Sequence, residues 1–151
     1  MATNWKIRLA NWSTITDQKI IKYIREQVFI IEQSVPTELE WDEFDMQSLH
    51  CIVSDNNGKP AATARLFNKE TEAQIGRMAV LKPYRRNGLG RLMLNTLLEQ
   101  AIIKSVKHIS INAQTVAIPF YLRFGFKVVG DEFDDAGIPH YKMILQLENG
   151  Q

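Results

Sequence analysis

Residues 77–91, Arg-Met-Ala-Val-Leu-Lys-Pro-Tyr-Arg-Arg-Asn-Gly-Leu-Gly-Arg, hold five basic residues, two close-spaced glycines and no acid. They lie between an apolar run and an amphipathic helix pattern. Gly88 and Gly90 admit backbone conformations that a Cβ would crowd, so successive N–H groups can converge on one anion where the next helix begins. The stretch suits phosphate binding, and an ordinary glycine turn on a basic surface is the plainer alternative.

Two familiar phosphate loops are excluded by residue type. A P-loop needs Gly-x-x-x-x-Gly-Lys-Ser/Thr, but Arg91 follows Gly90 here and no hydroxyl group is placed to hold magnesium. A dinucleotide site needs Gly-x-Gly-x-x-Gly followed by an acid about twenty residues later, and that is absent too. The ligand implied carries a pyrophosphate and requires no metal.

The 151 residues suffice for one domain, residues 1–151, with a core that needs no disulfide or structural metal. Hydrophobic residues at 45% and charged residues at 23% describe a folded soluble chain, and a formal charge of +1 gives no overall field for nucleic acid or an anionic membrane. Charge is nonetheless segregated. Glu26 to Gly58 has eight acids and no Lys or Arg, whereas Ala73 to Leu98 has Arg77, Lys82, Arg85, Arg86 and Arg91 and no acid. Opposed blocks suit an anionic cofactor and a cationic substrate; each is also what a solvated face looks like. The lone cysteine, Cys51, sits in a strand-like stretch and reads as buried rather than nucleophilic. No signal pattern or bilayer-length apolar run occurs, so a cytoplasmic protein is expected.

The elements that must position these groups follow from periodicity. A strand over 5–12 precedes a helix capped near Thr14 to Asp17 and running to about Ile31, with Ile20, Ile21, Ile24, Val28 and Ile31 at helical spacing. The acidic stretch from Glu32 to Gln47 reads as a long loop or short helix. Strands over 49–54 and 59–67 flank the turn Asp55-Asn56-Asn57-Gly58, and another spans 72–81. Leu92, Met93, Leu94, Leu97, Leu98, Ala101 and Ile102 mark the buried face of the next helix. A strand over 108–112, a helix over 116–123 and strands over 126–130 and 140–147 complete the order. The chain is expected to be α/β, with earlier strands antiparallel and the last part of the sheet parallel after a right-handed crossover.

This order, with Arg85-x-x-Gly88-x-Gly90 opening a helix and Phe120-Tyr121-x-x-x-Gly125-Phe126 some thirty residues later, resembles the GNAT superfamily of acetyl-coenzyme A-dependent N-acetyltransferases over nearly the whole chain. Arg25-Glu26-x-Val28-Phe29, Glu32-Gln33, Glu40-Trp41-Asp42, Ala113-Gln114 and Gly137-Ile138-Pro139-His140 are similar to its ElaA-like or YjcF-like bacterial branch. The resemblance implies a mixed, mostly antiparallel sheet flanked by helices, with a parallel pair splayed at the cofactor site. It assigns acetyl-CoA as cosubstrate: the pyrophosphate on backbone N–H groups of Arg86, Asn87, Gly88, Leu89, Gly90 and Arg91, with Arg85 opening the motif, and pantetheine on Met78, Ala79 and Val80. Asn112 would meet pantetheine or cap a helix.

By the same resemblance Tyr121 is the acid that protonates the departing thiolate, a role its phenol, protonated at neutral pH, can fill; packing on a helix face is the other reading. The implied reaction is direct acetyl transfer to an amine, with an oxyanion stabilised by an N–H near Met78 or Ala79. An alkyl ammonium with pKa about 10.4 costs roughly 4–5 kcal/mol to deprotonate at neutral pH, so a base or water relay is needed. Glu40, Asp42, Glu43, Asp45, His50 and His140 all qualify by type, and the base stays unassigned. The acids from Glu32 to Asp45 are expected to face the acceptor entrance and favour a cationic amine. Three dispersed histidines and one cysteine show no zinc spacing. A homodimer is compatible with the resemblance, and a noncatalytic acyl-CoA sensor is the alternative function.

Overall fold

The computed structural model describes residues 4–147. One seven-stranded sheet runs β1-β2-β3-β4-β5-β7-β6, with β1 Lys6–Asn11, β2 Leu49–Ser54, β3 Pro60–Lys69, β4 Glu72–Val80, β5 His108–Gln114, β6 Lys127–Asp135 and β7 Ile138–Gln146. Helix α1 (Ile15–Arg25) lies on one face, and α4 (Leu89–Ile103) and α5 (Ile118–Leu122) on the other. Two single-turn helices, α2 (Thr37–Glu40) and α3 (Phe44–Gln47), occupy the acidic stretch.

Strand β2 is apolar on both faces because both are covered. Cys51 and Val53 join the α4 core with Leu66, Met93 and Leu97, while Ile52 meets Ile21 of α1 on the opposite side. The buried stripe of α4 follows the expected periodicity, although Ile102 points to solvent.

Two expectations need correction. Only β4 and β5 are parallel; β7 inserts between β5 and β6 and runs antiparallel to both, because the late strands form a hairpin whose second arm is the one that pairs with β5. The first helix also does not continue in α-form to Ile31. After Arg25 it widens into a π-helical segment, Glu26–Glu32, closed by the Gln33 N–H donating to the Val28 carbonyl five residues back at 3.1 Å. The wider turn breaks the 3.6-residue repeat, which leaves Ile31 62% exposed and turns Phe29 and Gln33 toward the interior of the molecule.

The decisive irregularity lies in β4. Thr63 pairs with Ala79 and Arg65 with Gly76, so Ala64 alone stands opposite Arg77 and Met78. This β-bulge puts Arg77 at φ +49°, a left-handed conformation costing about 1–2 kcal/mol for a residue with a side chain. The guanidinium recovers contacts with the Glu40 and Leu39 carbonyls at 3.4 Å each. The bulge bends β4 away from β5, and their parallel pairing stops at Ile75 and Ile111 although both strands continue.

Burial also sets an alkaline limit on the fold. The fully buried Cys51 thiol is pushed from 9.0 up to about 12 by loss of hydration. The folded state thus binds this proton more tightly than the unfolded chain. Its stabilising contribution is complete below about pH 9 and vanishes as pH rises through about 12. Urea titrations should show the unfolding midpoint falling across that window, and Cys51→Ala should flatten the fall.

Candidate active site

The glycine loop is shaped by two left-handed residues, Arg86 at φ +66° and Gly88 at φ +75°. Gly88 is the N-cap of α4, with its carbonyl accepting from the Leu92 N–H at 3.0 Å. The first-turn N–H groups of Leu89, Gly90 and Arg91 have no acceptor inside the helix and face the positive end of its dipole. Arg86 and Arg91 are exposed beside them. Side chains of the motif brace the loop: Asn87 Nδ2 donates to the Tyr84 carbonyl at 2.9 Å, and Leu89 is buried in the core.

Arg85 opens the motif but its guanidinium is already engaged. It holds Glu32 through two bonds of 2.6 Å and the Val80 carbonyl through Nε at 2.9 Å. That pairing draws Glu32 below the usual carboxylate range and pins the loop to the π-helical segment. The side chain is an anchor here, and the available cations are its neighbours.

A groove of about 400 Å³ along Arg86, Gly88 and Arg91 meets a second cavity of about 390 Å³ at Gly90 and Phe120, which line both. The second cavity lies where β4 and β5 separate. Its walls therefore include Ile75, Ile111 and Tyr121 from the α4–α5 side of the sheet, and Gln33, Glu40 and His140 from elsewhere. Met78 and Asn112 line it too. Ala79 and Val80 pair on their other edge with Thr63 and Ala62 of β3, and Ala79 packs beneath α1. Asn112 sits within β5 opposite Lys142, which removes the helix-cap reading.

Tyr121 is 8% exposed, and burial alone pushes its phenol up to about 12. Its Oη approaches Met78 Sδ at 3.8 Å, a weak contact that leaves the proton available. Two amides join across the cavity, Gln114 Nε2 donating to Gln33 Oε1 at 3.0 Å.

Three carboxylates of the acidic block are already paired inside the protein, although Glu40 lines the cavity. Arg25, fully buried, donates to Glu40 Oε2 and Asp45 Oδ1 at 2.7 Å each. Arg65 Nη1 holds Asp42 and Asp45 at 2.7 Å each, and Arg77 reaches Glu40 Oε2 at 3.1 Å and Asp42 at 3.3 Å. Three guanidiniums thus answer three carboxylates. Burial opposes ionisation of Asp42 and Asp45, yet Arg65, joined by Arg25 at Asp45, outweighs it and holds both below the usual range. Burial prevails at Glu40 and lifts it above the usual range despite Arg25 and Arg77. Charge steering by Glu40, Asp42 and Asp45 loses its basis, because their counter-ions come from α1, β3 and β4.

Other sequence candidates resolve as packing. His50 donates from Nε2 to the Asp45 carbonyl, 2.8 Å away, stacks on Trp12 and is lowered by burial. Trp41 packs over the Arg25 guanidinium, 5.0 Å from Cζ to the ring centroid. Among the described residues no His, Cys, Asp and Glu cluster is placed to hold a metal, and no helix is long and apolar enough to cross a membrane. Sequence reasoning missed Phe29, whose exposure to the cavity depends on the π-helical widening.

Comparison with known proteins agrees with this geometry. Residues 12–147 match the acetyltransferase (GNAT) domain. A Bacillus subtilis protein called uncharacterized N-acetyltransferase YjcF is 40% identical over 123 residues, covering 81% of this chain and 87% of its own. The fold matches a Pseudomonas aeruginosa acyl-CoA N-acyltransferase with a TM-score of 0.82 at 25% identity, over 95% of this chain and 99% of the other. Escherichia coli ElaA superposes with a TM-score of 0.82 at 24% identity and the same coverage. With the family match spanning nearly the whole chain and YjcF as a relative, the protein is an acyltransferase of the GNAT family, in its YjcF-like branch.

Proposed function

We propose that residues 1–151 act as one cytoplasmic domain that moves an acetyl group from acetyl-CoA directly to an amine, without a metal, a membrane or a nucleic acid. The observation that supports this most is the meeting of the phosphate-binding groove and the trans-sheet cavity at Gly90. A ligand with an anionic head and a long arm fits that path. The pyrophosphate would rest on the N–H groups at the start of α4 with Arg86 and Arg91, and the amides of the arm would pair with the free edge of β4 at Met78 to Val80.

The bound thioester supplies an activated acetyl group. Tyr121, beside Met78 in the same cavity, donates its proton to the leaving sulfur. An N–H at Met78 or Ala79 stabilises the oxyanion. Cys51 is sealed in the core with its thiol raised, which leaves it no part as an acyl carrier. The acceptor amine enters between Gln33, Glu40 and His140.

Thiol release from acetyl-CoA across a panel of aminosugars, polyamines, amino acids and peptides tests the activity; calorimetric binding without release by any amine would replace the enzyme with a sensor. Gly90→Trp tests the path. A Cβ at Gly90 already comes 3.4 Å from Phe120 and 3.7 Å from Met78 Sδ, so an indole there fills the junction. Acetyl-CoA affinity should fall by at least about tenfold, or 1.4 kcal/mol, with the circular dichroism spectrum unchanged. Wild-type affinity in the folded variant would contradict the route.

A further inference from the structure

We propose that His140 is the base that takes the proton from the acceptor amine, an inference that rests on the acetyl-transfer reading. Three constraints fix its ring. Its backbone sits in β7 between Gln114 of β5 and Phe133 of β6, its ring stacks on Phe133 with centroids 5.8 Å apart, and Nδ1 lies 2.7 Å from the Ile138 carbonyl. Thr115 Oγ1 donates to the neighbouring Pro139 carbonyl at 3.2 Å, which ties this corner to the segment leading into α5 and Tyr121.

A carbonyl oxygen can only accept, so the proton of the neutral ring resides on Nδ1 and the lone pair on Nε2. Nε2 has no hydrogen-bond partner in the structure, and among the described residues no fully buried side-chain nitrogen or oxygen lacks one. Nε2 therefore keeps some open surface, on a residue that is 8% exposed and lines the cavity. This is a lone pair that no protein donor occupies. Glu40 Oε2, by contrast, already accepts from Arg25 at 2.7 Å and lies 3.1 Å from the Arg77 guanidinium. The other charged or titratable groups lining the cavity are Glu40 from α2, Arg77 from β4, Tyr121 from α5 and Asp135 from β6.

In the step, the acceptor ammonium gives one proton to Nε2, and its freed lone pair forms the new C–N bond at the thioester carbon. The C–S bond breaks with its electron pair on sulfur, which takes the Tyr121 proton. Nitrogen loses its second proton to solvent, which restores the tyrosine, and the imidazolium releases its own to bulk water. Products are amide, thiol and one proton.

His140→Asn is the informative variant, because its amide N–H replaces Nδ1–H toward the Ile138 carbonyl while Nε2 disappears. Acceptor kcat/KM should fall by about 10² or more, and the acid limb of its pH profile should disappear. Acetyl-CoA affinity by calorimetry should stay unchanged. Nitrogen-15 NMR of the ligand-free wild-type protein should show the Nδ1–H tautomer. An acid limb that persists in the variant, or an Nε2–H tautomer in the wild type, overturns the assignment even if the variant fails to fold. Absence of wild-type turnover with every amine overturns the acetyl-transfer reading instead, a result separable from loss confined to the variant.

Discussion

Tyr121→Phe is expected to slow acetyl transfer by about 10² to 10⁴ while leaving acetyl-CoA affinity unchanged, as removal of a general acid does. The ring contributes to packing through edge-on contacts with Phe120 and Phe126, and phenylalanine preserves both. Only the hydroxyl is lost, and its one hydrogen-bond contact among the described residues is the 3.8 Å approach to Met78 Sδ. Because burial places the phenol near 12, the acid stays protonated at neutral pH, and no alkaline limb should arise from it below about pH 11. Single-turnover thiol release beside calorimetry separates chemistry from binding. Equal rates in the two proteins would leave Tyr121 as a core residue.

Arg25→Met should destabilise the protein by about 3–5 kcal/mol, the cost of stranding buried carboxylates after one partner is removed. Methionine fills most of the volume but leaves Glu40 without its 2.7 Å partner and Asp45 with Arg65 alone. The same change loosens Arg77, whose left-handed backbone forms the β4 bulge. Urea unfolding measures the loss. A change below about 1 kcal/mol would show the cluster to be no more than a solvated surface pair.

Features set by neighbouring residues were readable in the chain: the Asn57-Gly58 hairpin, the stripe of α4, and the glycine loop ahead of it. Each depends on interactions within a few positions. The acid cluster was misread because its cations, Arg65 and Arg77, lie 20 or more residues beyond Asp45, and Arg25 lies outside the acid block. A guanidinium on the apolar stripe of Ile21, Ile24 and Val28 was the available signal that a partner must be buried with it. The π-helical segment left no mark in composition, so the cavity wall at Phe29 and Gln33 was out of reach. The role proposed for Tyr121 rests on its motif, since spacing alone favours a packed ring.

The proposed function has donor and acceptor meet in one cavity through the sheet, and initial-rate kinetics test that claim most directly. Acetyl-CoA is varied at several fixed concentrations of the amine found by the thiol-release panel. Intersecting double-reciprocal lines are predicted, because both substrates must be present together before transfer. Parallel lines would mean that the acetyl group rests on the protein between two half-reactions, and would contradict direct transfer.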